Sequence, residues 1–271
     1  MENKKLPNTF LSGSALILGA SSGMGEACAA ELSQAGMDIF GVHLDRKSTL
    51  ANADRIVTEI QARGKKATFY NVNAADPDKR KSVLDDIASK LSGTGQTVKV
   101  LIHSLAFGTL KPFIADVEGD AVTRPQIEMT LDVMAHSLVY WTQDLVRMEL
   151  MQAGACVFAL TSAGGSRVWK TYGPVSAAKS ALESHSRQLA LELGPKHISV
   201  NAIRAGVTDT PALRKIPGNE EMIKMALAKN PQGRLTTTQD VAGVIALLSH
   251  PKAQWITGGV IGVDGGEFIV D

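Results

Sequence analysis

Short apolar runs alternate along the chain with longer stretches in which apolar positions recur at helical spacing. The runs Ser14–Gly19, Met37–Leu44, Lys66–Val72, Val98–Leu105, Cys156–Thr161, Ile198–Ile203 and Gly259–Val263 read as strands. Between them, Gly23–Gln34, Leu50–Arg63, Pro77–Leu91, a long stretch from about Gln126 to Met151, Pro174–Leu193 and Thr238–Ser249 read as helices. Pro77 stands in a first helical turn, where its missing N–H costs nothing, and Gly36 and Gly64 stand just past two helix ends. The strands are almost continuously apolar, as expected when both faces of a sheet are covered. Regular alternation of strand and helix requires crossover connections and therefore a parallel sheet. The pattern predicts a single-domain α/β fold, a doubly wound parallel sheet of seven strands over 14–271, behind a short mobile leader at 1–13.

One interval breaks the rhythm. Residues 209–231 are charged and punctuated by Pro211, Pro217, Gly218 and Pro231. Ligands of open α/β sheets lie beyond the carboxyl ends of the strands, so this segment reads either as a substrate lid or as a solvated surface helix.

Composition narrows the class. A chain of 271 residues with 44% hydrophobic and 20% charged residues is long enough to bury a large core. A net charge of +1 lacks the basic excess of a nucleic-acid binder. No apolar run reaches the roughly 18 residues of a membrane span, and the start shows no secretory h-region, which together predict a cytoplasmic protein. Cys28 and Cys156 form neither a disulfide framework nor a metal-ligand spacing, and both read as buried small hydrophobes. His103 and His136 likewise lack metal-ligand spacing and read as hydrogen-bonded histidines near a cofactor or the core.

The first strand runs into Gly19-Ala-Ser21-Ser22-Gly23-Met24-Gly25, which opens the first helix. A backbone bare of side chains here approaches a pyrophosphate closely, and the helix start offers it unpaired N–H groups. The spacing is GxxxGxG, and with the tail Ile256-Thr-Gly-Gly-Val-Ile-Gly-Val-Asp264-Gly-Gly it resembles the short-chain dehydrogenase/reductase family over nearly the whole chain. The resemblance implies a Rossmann-like sheet with Asn71 and Val72 flanking adenine, and with Ser104, Ala106, Gly206, Thr208 and Thr210 further along the cofactor. Thr210 reads equally as a helix cap before Pro211. At the end of the second strand the usual acid position holds His43, followed by Asp45, Arg46 and Lys47. A carboxylate there favours NADH, and a basic pair favours the 2′-phosphate of NADPH. NADPH is the expectation, although Ser22 stands where many NADPH-dependent relatives carry a basic residue.

The chemistry-bearing stretch is 161–183, with Ser162 seventeen positions and Tyr172 seven positions before Lys179. A phenol beside an ammonium has its pKa drawn below about 10 and can meet negative charge developing on a substrate oxygen. Lysine can also hold the ribose hydroxyls of a nicotinamide nucleotide, fixing the ring for transfer. Four positions before Lys179 stands Val175, so the pair is Tyr-x6-Lys, not the common Tyr-x3-Lys. This spacing resembles the enoyl-acyl-carrier-protein reductases. So do His103-Ser104-Leu105-Ala106-Phe107, Met134 in place of a helix Asn, and Ala205-Gly206 in place of Pro-Gly. Ser162 departs from them: the best-known members carry a second tyrosine at its position.

The resemblance implies reduction of trans-2-enoyl thioesters on acyl carrier protein or CoA in fatty acid biosynthesis. It assigns Tyr172, Lys179 and Ser162 to catalysis, and Ser162 is also open to reading as a loop cap. An acyl chain would run past Leu213, Ile216, Met222, Ile223 and Met225, and an acidic carrier would meet Arg204, Arg214, Lys215 and Lys224. The same side chains fit plain core packing and solvation. Assembly as a homotetramer is expected through the long helix that carries Tyr140 and Trp141. A carbonyl or 3-ketoacyl reductase, an alcohol dehydrogenase and a non-catalytic dinucleotide-binding protein are the alternatives.

Overall fold

The computed structural model describes residues 10–271. Seven parallel strands form one sheet: β1 (Ser14–Leu18), β2 (Asp38–His43), β3 (Ala67–Asn71), β4 (Val98–His103), β5 (Cys156–Ser162), β6 (Ser199–Ala205) and β7 (Val260–Val263). Their order is β3-β2-β1-β4-β5-β6-β7, so the direction of winding reverses between β1 and β4. That reversal opens a crevice at the carboxyl ends of β1 and β4, where such sheets take their ligands. Every side chain of β1 is buried, whereas β3, at the sheet edge, is half covered, which is why its apolar signal is weaker.

The helices are α1 (Gly23–Ala35), α2 (Leu50–Ala62), α3 (Pro77–Leu91), α4 (Arg124–Leu131), α5 (Ser137–Arg147), α6 (Gly173–Leu193), α7 (Asn219–Lys229) and α8 (Thr238–Leu248). Two cores result, one on each face of the sheet. One packs Leu16, Leu101, Trp141 and Leu182 together, and the other packs Ile17, Leu32, Phe158 and Ile245. Alternate residues of each strand feed opposite cores, which explains the uninterrupted apolar runs.

The long helix departs from its expected form. α4 and α5 are joined by a π-helical turn, Asp132–His136, and the helix ends at Arg147, short of Met151. Glu149 takes a left-handed φ of 57°, which stops the helix there. The fourth strand likewise ends at His103, two residues before Leu105. Of the leader expected at 1–13, residues 1–9 lie outside the described residues, and the N–H groups of Phe10 and Leu11 both donate to the Ala35 carbonyl at 2.9 Å. In 209–231, a short 3-10 turn at Leu213–Lys215 leads to α7, whose one buried residue is Ala226. Among the described residues, no helix is long and apolar enough to cross a membrane, and no cluster of side chains could hold a metal ion.

Candidate active site

The chain leaves β1 through a left-handed Gly19, φ 92°, and a Cβ there would strike the Ser104 carbonyl. A Cβ on Gly25 would strike the Gly19 carbonyl, so the turn closes only without side chains at both places. Ser22 precedes α1 in extended conformation and makes no side-chain cap, which leaves the first N–H groups of the helix free to bind an anion. Thr210 has been brought to this turn from the far end of β6, with its side chain 3.6 Å from where a Cβ on Gly23 would sit. Its hydroxyl also accepts the Leu213 N–H at 3.2 Å, so position beside the turn and capping role coexist. Ser104 is tied back by its N–H to the Leu18 carbonyl at 2.8 Å, and Ala106 is exposed. Thr208 is buried and donates to the Gly206 carbonyl at 2.9 Å, making a local turn.

At the end of β2, the His43 ring Nδ1 lies 2.8 Å from Asp45 Oδ2. Asn71 clamps the Asp45 backbone from both sides, accepting its N–H at 2.9 Å and donating to its carbonyl at 3.0 Å. Val72 completes the corner, donating its N–H to the His43 carbonyl at 2.8 Å. Partial burial opposes charge on Asp45. The nearby hydroxyls of Ser21 and Thr49, with the His43 bond, nevertheless hold its carboxyl below the usual carboxylate range. Arg46 and Lys47 are exposed beside it.

Tyr172 caps the start of α6, with Pro174 in the first turn as the sequence requires. It stands next to Ser162 at the end of β5: a Cβ on Gly164 would meet the Tyr172 ring at 2.5 Å and Ser162 Oγ at 3.2 Å. The Ser162 hydroxyl is buried and makes no hydrogen bond among the described residues. Burial pushes the Tyr172 phenol above its ordinary value, and the nearby Ser162 hydroxyl pulls it part of the way back. Lys179, two helical turns on, is buried, and its Nζ donates to the Leu160 carbonyl at 2.6 Å. Its pKa is pushed down to about 8 by burial, against which the Glu183 carboxylate works. The lysine's effect on the phenol expected from sequence is therefore overruled in the protein alone, where burial dominates and Tyr172 holds its proton.

Two groups missing from the sequence reading complete this centre. Glu183, one turn beyond Lys179, is anchored by the Thr161 hydroxyl at 2.7 Å, so β5 offers both Lys179 and its counter-charge a partner. The spacing of four from Lys179 was the available signal. Trp169 was the other, an aromatic in a Gly- and Ser-rich loop; its Nε1–H donates to the Pro217 carbonyl at 3.1 Å. His103 is wholly buried at the end of β4, 2.9 Å from the Ser137 hydroxyl. That hydroxyl donates to the Val133 carbonyl at 2.8 Å, so His103 Nε2–H is the donor. Burial, and then the Lys179 ammonium, push its pKa down to about 3, and it is neutral. His136 is 2.9 Å from His185, so both histidines are hydrogen-bonded.

The chain's residues 19–267 match the family model described as "Enoyl-(Acyl carrier protein) reductase". The chain belongs to the short-chain dehydrogenase/reductase superfamily, in this enoyl-reductase-like branch. It is therefore an oxidoreductase of that family. Among curated relatives of this short-chain reductase, a 3-oxoacyl-[acyl-carrier-protein] reductase FabG of Thermotoga maritima is 27% identical over 94% of the chain and 97% of its own length. An enoyl-[acyl-carrier-protein] reductase [NADH] FabI of Nostoc sp. is 32% identical over 74% of the chain and 75% of its own length. Among solved structures, the enoyl-[acyl-carrier-protein] reductase of Aquifex aeolicus superposes with a TM-score of 0.82 at 23% identity, over 96% of this chain and 98% of its own. At that identity the likeness shows the fold.

Of the cations expected to meet a carrier, two are engaged within the protein. The Arg204 guanidinium lies 3.6 Å over the Phe268 ring and near Asp264, and Arg214 makes a bidentate pair with Asp209 at 2.8 and 2.9 Å. Lys215 and Lys224 are exposed. Of the expected acyl-lining residues, Leu213 is buried in the fold and Met225 is exposed.

Proposed function

We propose that this reductase reduces the C2=C3 bond of trans-2-enoyl thioesters carried on acyl carrier protein or CoA. The observation that carries the reading is the meeting of Tyr172 and Ser162 around Gly164, with Lys179 two turns along the same helix. Val175, at the position a tyrosine takes in the commoner spacing, is buried and apolar, so Tyr172 is the phenol available to this centre.

The residues fit a nicotinamide dinucleotide. The bare Gly19–Gly25 turn and open start of α1 suit its pyrophosphate, Thr210 stands beside them, and the Asp45 carboxylate just past β2 offers an acceptor for adenine-ribose hydroxyls. A nicotinamide dinucleotide held there in reduced form would supply a hydride for C3. The thioester oxygen would gain negative charge as the enolate forms, and a proton from solvent at C2 would complete the saturated thioester. Tyr172 O–H donates to that oxygen, and the unpartnered Ser162 hydroxyl supplies a second donor. Lys179, charged below about pH 8, keeps the local field positive and holds ribose hydroxyls. Phe107, Phe113, Ile114 and Val168 are exposed and apolar, and the Phe113 ring lies beside Gly173 at the start of α6, so they offer apolar surface to an acyl chain. Residues 209–231 act as the lid, and Lys215 and Lys224 meet the acidic carrier. The cofactor's 2′ position falls between opposed charges: Arg46 and Lys47 attract a phosphate, and Asp45 repels it. Outward-facing Tyr140 on α5 and Leu191 on α6 supply apolar surface for a homotetramer.

A second reading, 3-oxoacyl reduction, is favoured by Ser162, since serine is the residue of the common branch at that position. Oxidation of NADPH and of NADH, followed with crotonyl-CoA and with acetoacetyl-CoA, separates the two. Faster turnover of crotonyl-CoA is expected, and turnover of the ketone alone overturns the enoyl reading.

A further inference from the structure

We propose that Trp169 is a positioning residue that ties the 209–231 segment to Tyr172, so that the lid and the proton donor move as one unit. The proposal rests on Tyr172 being the donor. Trp169 reaches in both directions. Its Nε1–H donates to the Pro217 carbonyl at 3.1 Å, and its ring lies 3.4 Å from where a Cβ on Gly218 would sit. Gly218 takes a left-handed φ of 78° and is the residue on which α7 starts, so the tryptophan grips the turn that sets the direction of the lid helix. In the other direction, the Trp169 carbonyl accepts the Tyr172 N–H at 3.2 Å.

The rest of the loop leaves this contact as the lever. Upstream, Arg167 donates to the Phe268 carbonyl at 2.6 Å and stacks 4.5 Å over the Phe268 ring, anchoring the loop to the C-terminal turn. Between Trp169 and Tyr172, Thr171 has a φ of 63°, a left-handed conformation that a β-branched residue adopts only when its surroundings hold it there. Release of Trp169 from Pro217 removes one of those constraints, and relaxation of Thr171 then turns Tyr172 about its backbone. α7 buries only Ala226, so it belongs to the lightly held part of the molecule and can carry such a displacement.

The test is a double-mutant cycle. Trp169→Phe keeps an aromatic side chain but deletes the indole N–H donor and shortens the ring that reaches Gly218; it is expected to lower kcat for crotonyl-CoA about ten-fold while leaving the dissociation constant of the nicotinamide cofactor unchanged. In a Tyr172→Phe background, the same substitution is expected to have no further effect on the residual rate. An equal loss in both backgrounds, or no loss in the parent, overturns the coupling. A Tyr172→Phe protein as active as the parent instead overturns the assignment of Tyr172. A second measurement needs no change at Trp169. In Trp255→Phe, the remaining tryptophans are Trp169 and the wholly buried Trp141. Butyryl-CoA with oxidised cofactor is expected to change acrylamide quenching of tryptophan emission at least two-fold; unchanged quenching overturns the coupling of Trp169 to the 209–231 segment.

Discussion

Lys179 shows how one buried charge is managed by groups that sequence leaves anonymous. Its Nζ is satisfied by a backbone carbonyl, and its charge is supported by Glu183, itself fixed by Thr161. With a pKa of about 8, Lys179 loses its proton as pH rises through that value, and kcat/KM is expected to fall along an alkaline limb there. Glu183 raises the pKa of Lys179, so Glu183→Gln is expected to move the limb to lower pH. An unmoved limb in the pH–rate profile denies Glu183 this role. The same shift has a stability consequence of opposite sign. Between pH 8 and the unfolded value of 10.5, the unfolded chain binds the proton and the folded chain does not, so this group adds stability as pH rises across that window. Tyr172→Phe removes the phenolic hydroxyl alone, and loss of a positioned proton donor costs about 10²–10⁴-fold in rate. Stopped-flow turnover with cofactor titration checks that rate falls while cofactor affinity holds.

At the scale of elements, the site is made where the end of one meets the start of another. Gly164 is the clearest case, because the end of β5 and the start of α6 approach so closely that a methyl group has no room between Ser162 and Tyr172. Gly164→Ala is expected to leave the melting temperature within a few degrees and to lower kcat/KM by at least about ten-fold through displacement of the phenol. A variant with parental kinetics shows that this approach does not matter to turnover. The end of β2 is a second such place. Asp45→Asn is expected to raise the ratio of kcat/KM with NADPH to that with NADH, and Arg46→Ala to lower it. Ratios unmoved by either change place cofactor choice elsewhere. The π-helical turn Asp132–His136 was not legible, since it changes which backbone carbonyls are paired, and no residue type marks that change.

For the whole molecule, the proposed tetramer makes Leu191, 72% exposed on α6, a test of assembly. Leu191→Glu is expected to lower the sedimenting mass while cofactor binding survives; an unchanged mass removes this face from the interface. The sequence alone determined the seven strands and the rough limits of α1, α2, α3, α6 and α8, because apolar period and turn residues act over a few positions; it ran α4 and α5 into one helix and left α7 undecided. It also located the glycine turn and the Tyr-x6-Lys pair, which residue type and spacing mark directly. Only the tertiary structure decided the strand order, the meeting of Ser162 with Tyr172, the capture of Arg204 by Phe268, and the reach of Trp169 to Pro217. These join residues far apart in the chain, often through backbone carbonyls that every residue possesses. Which of them meet is settled by how the helices pack on the sheet.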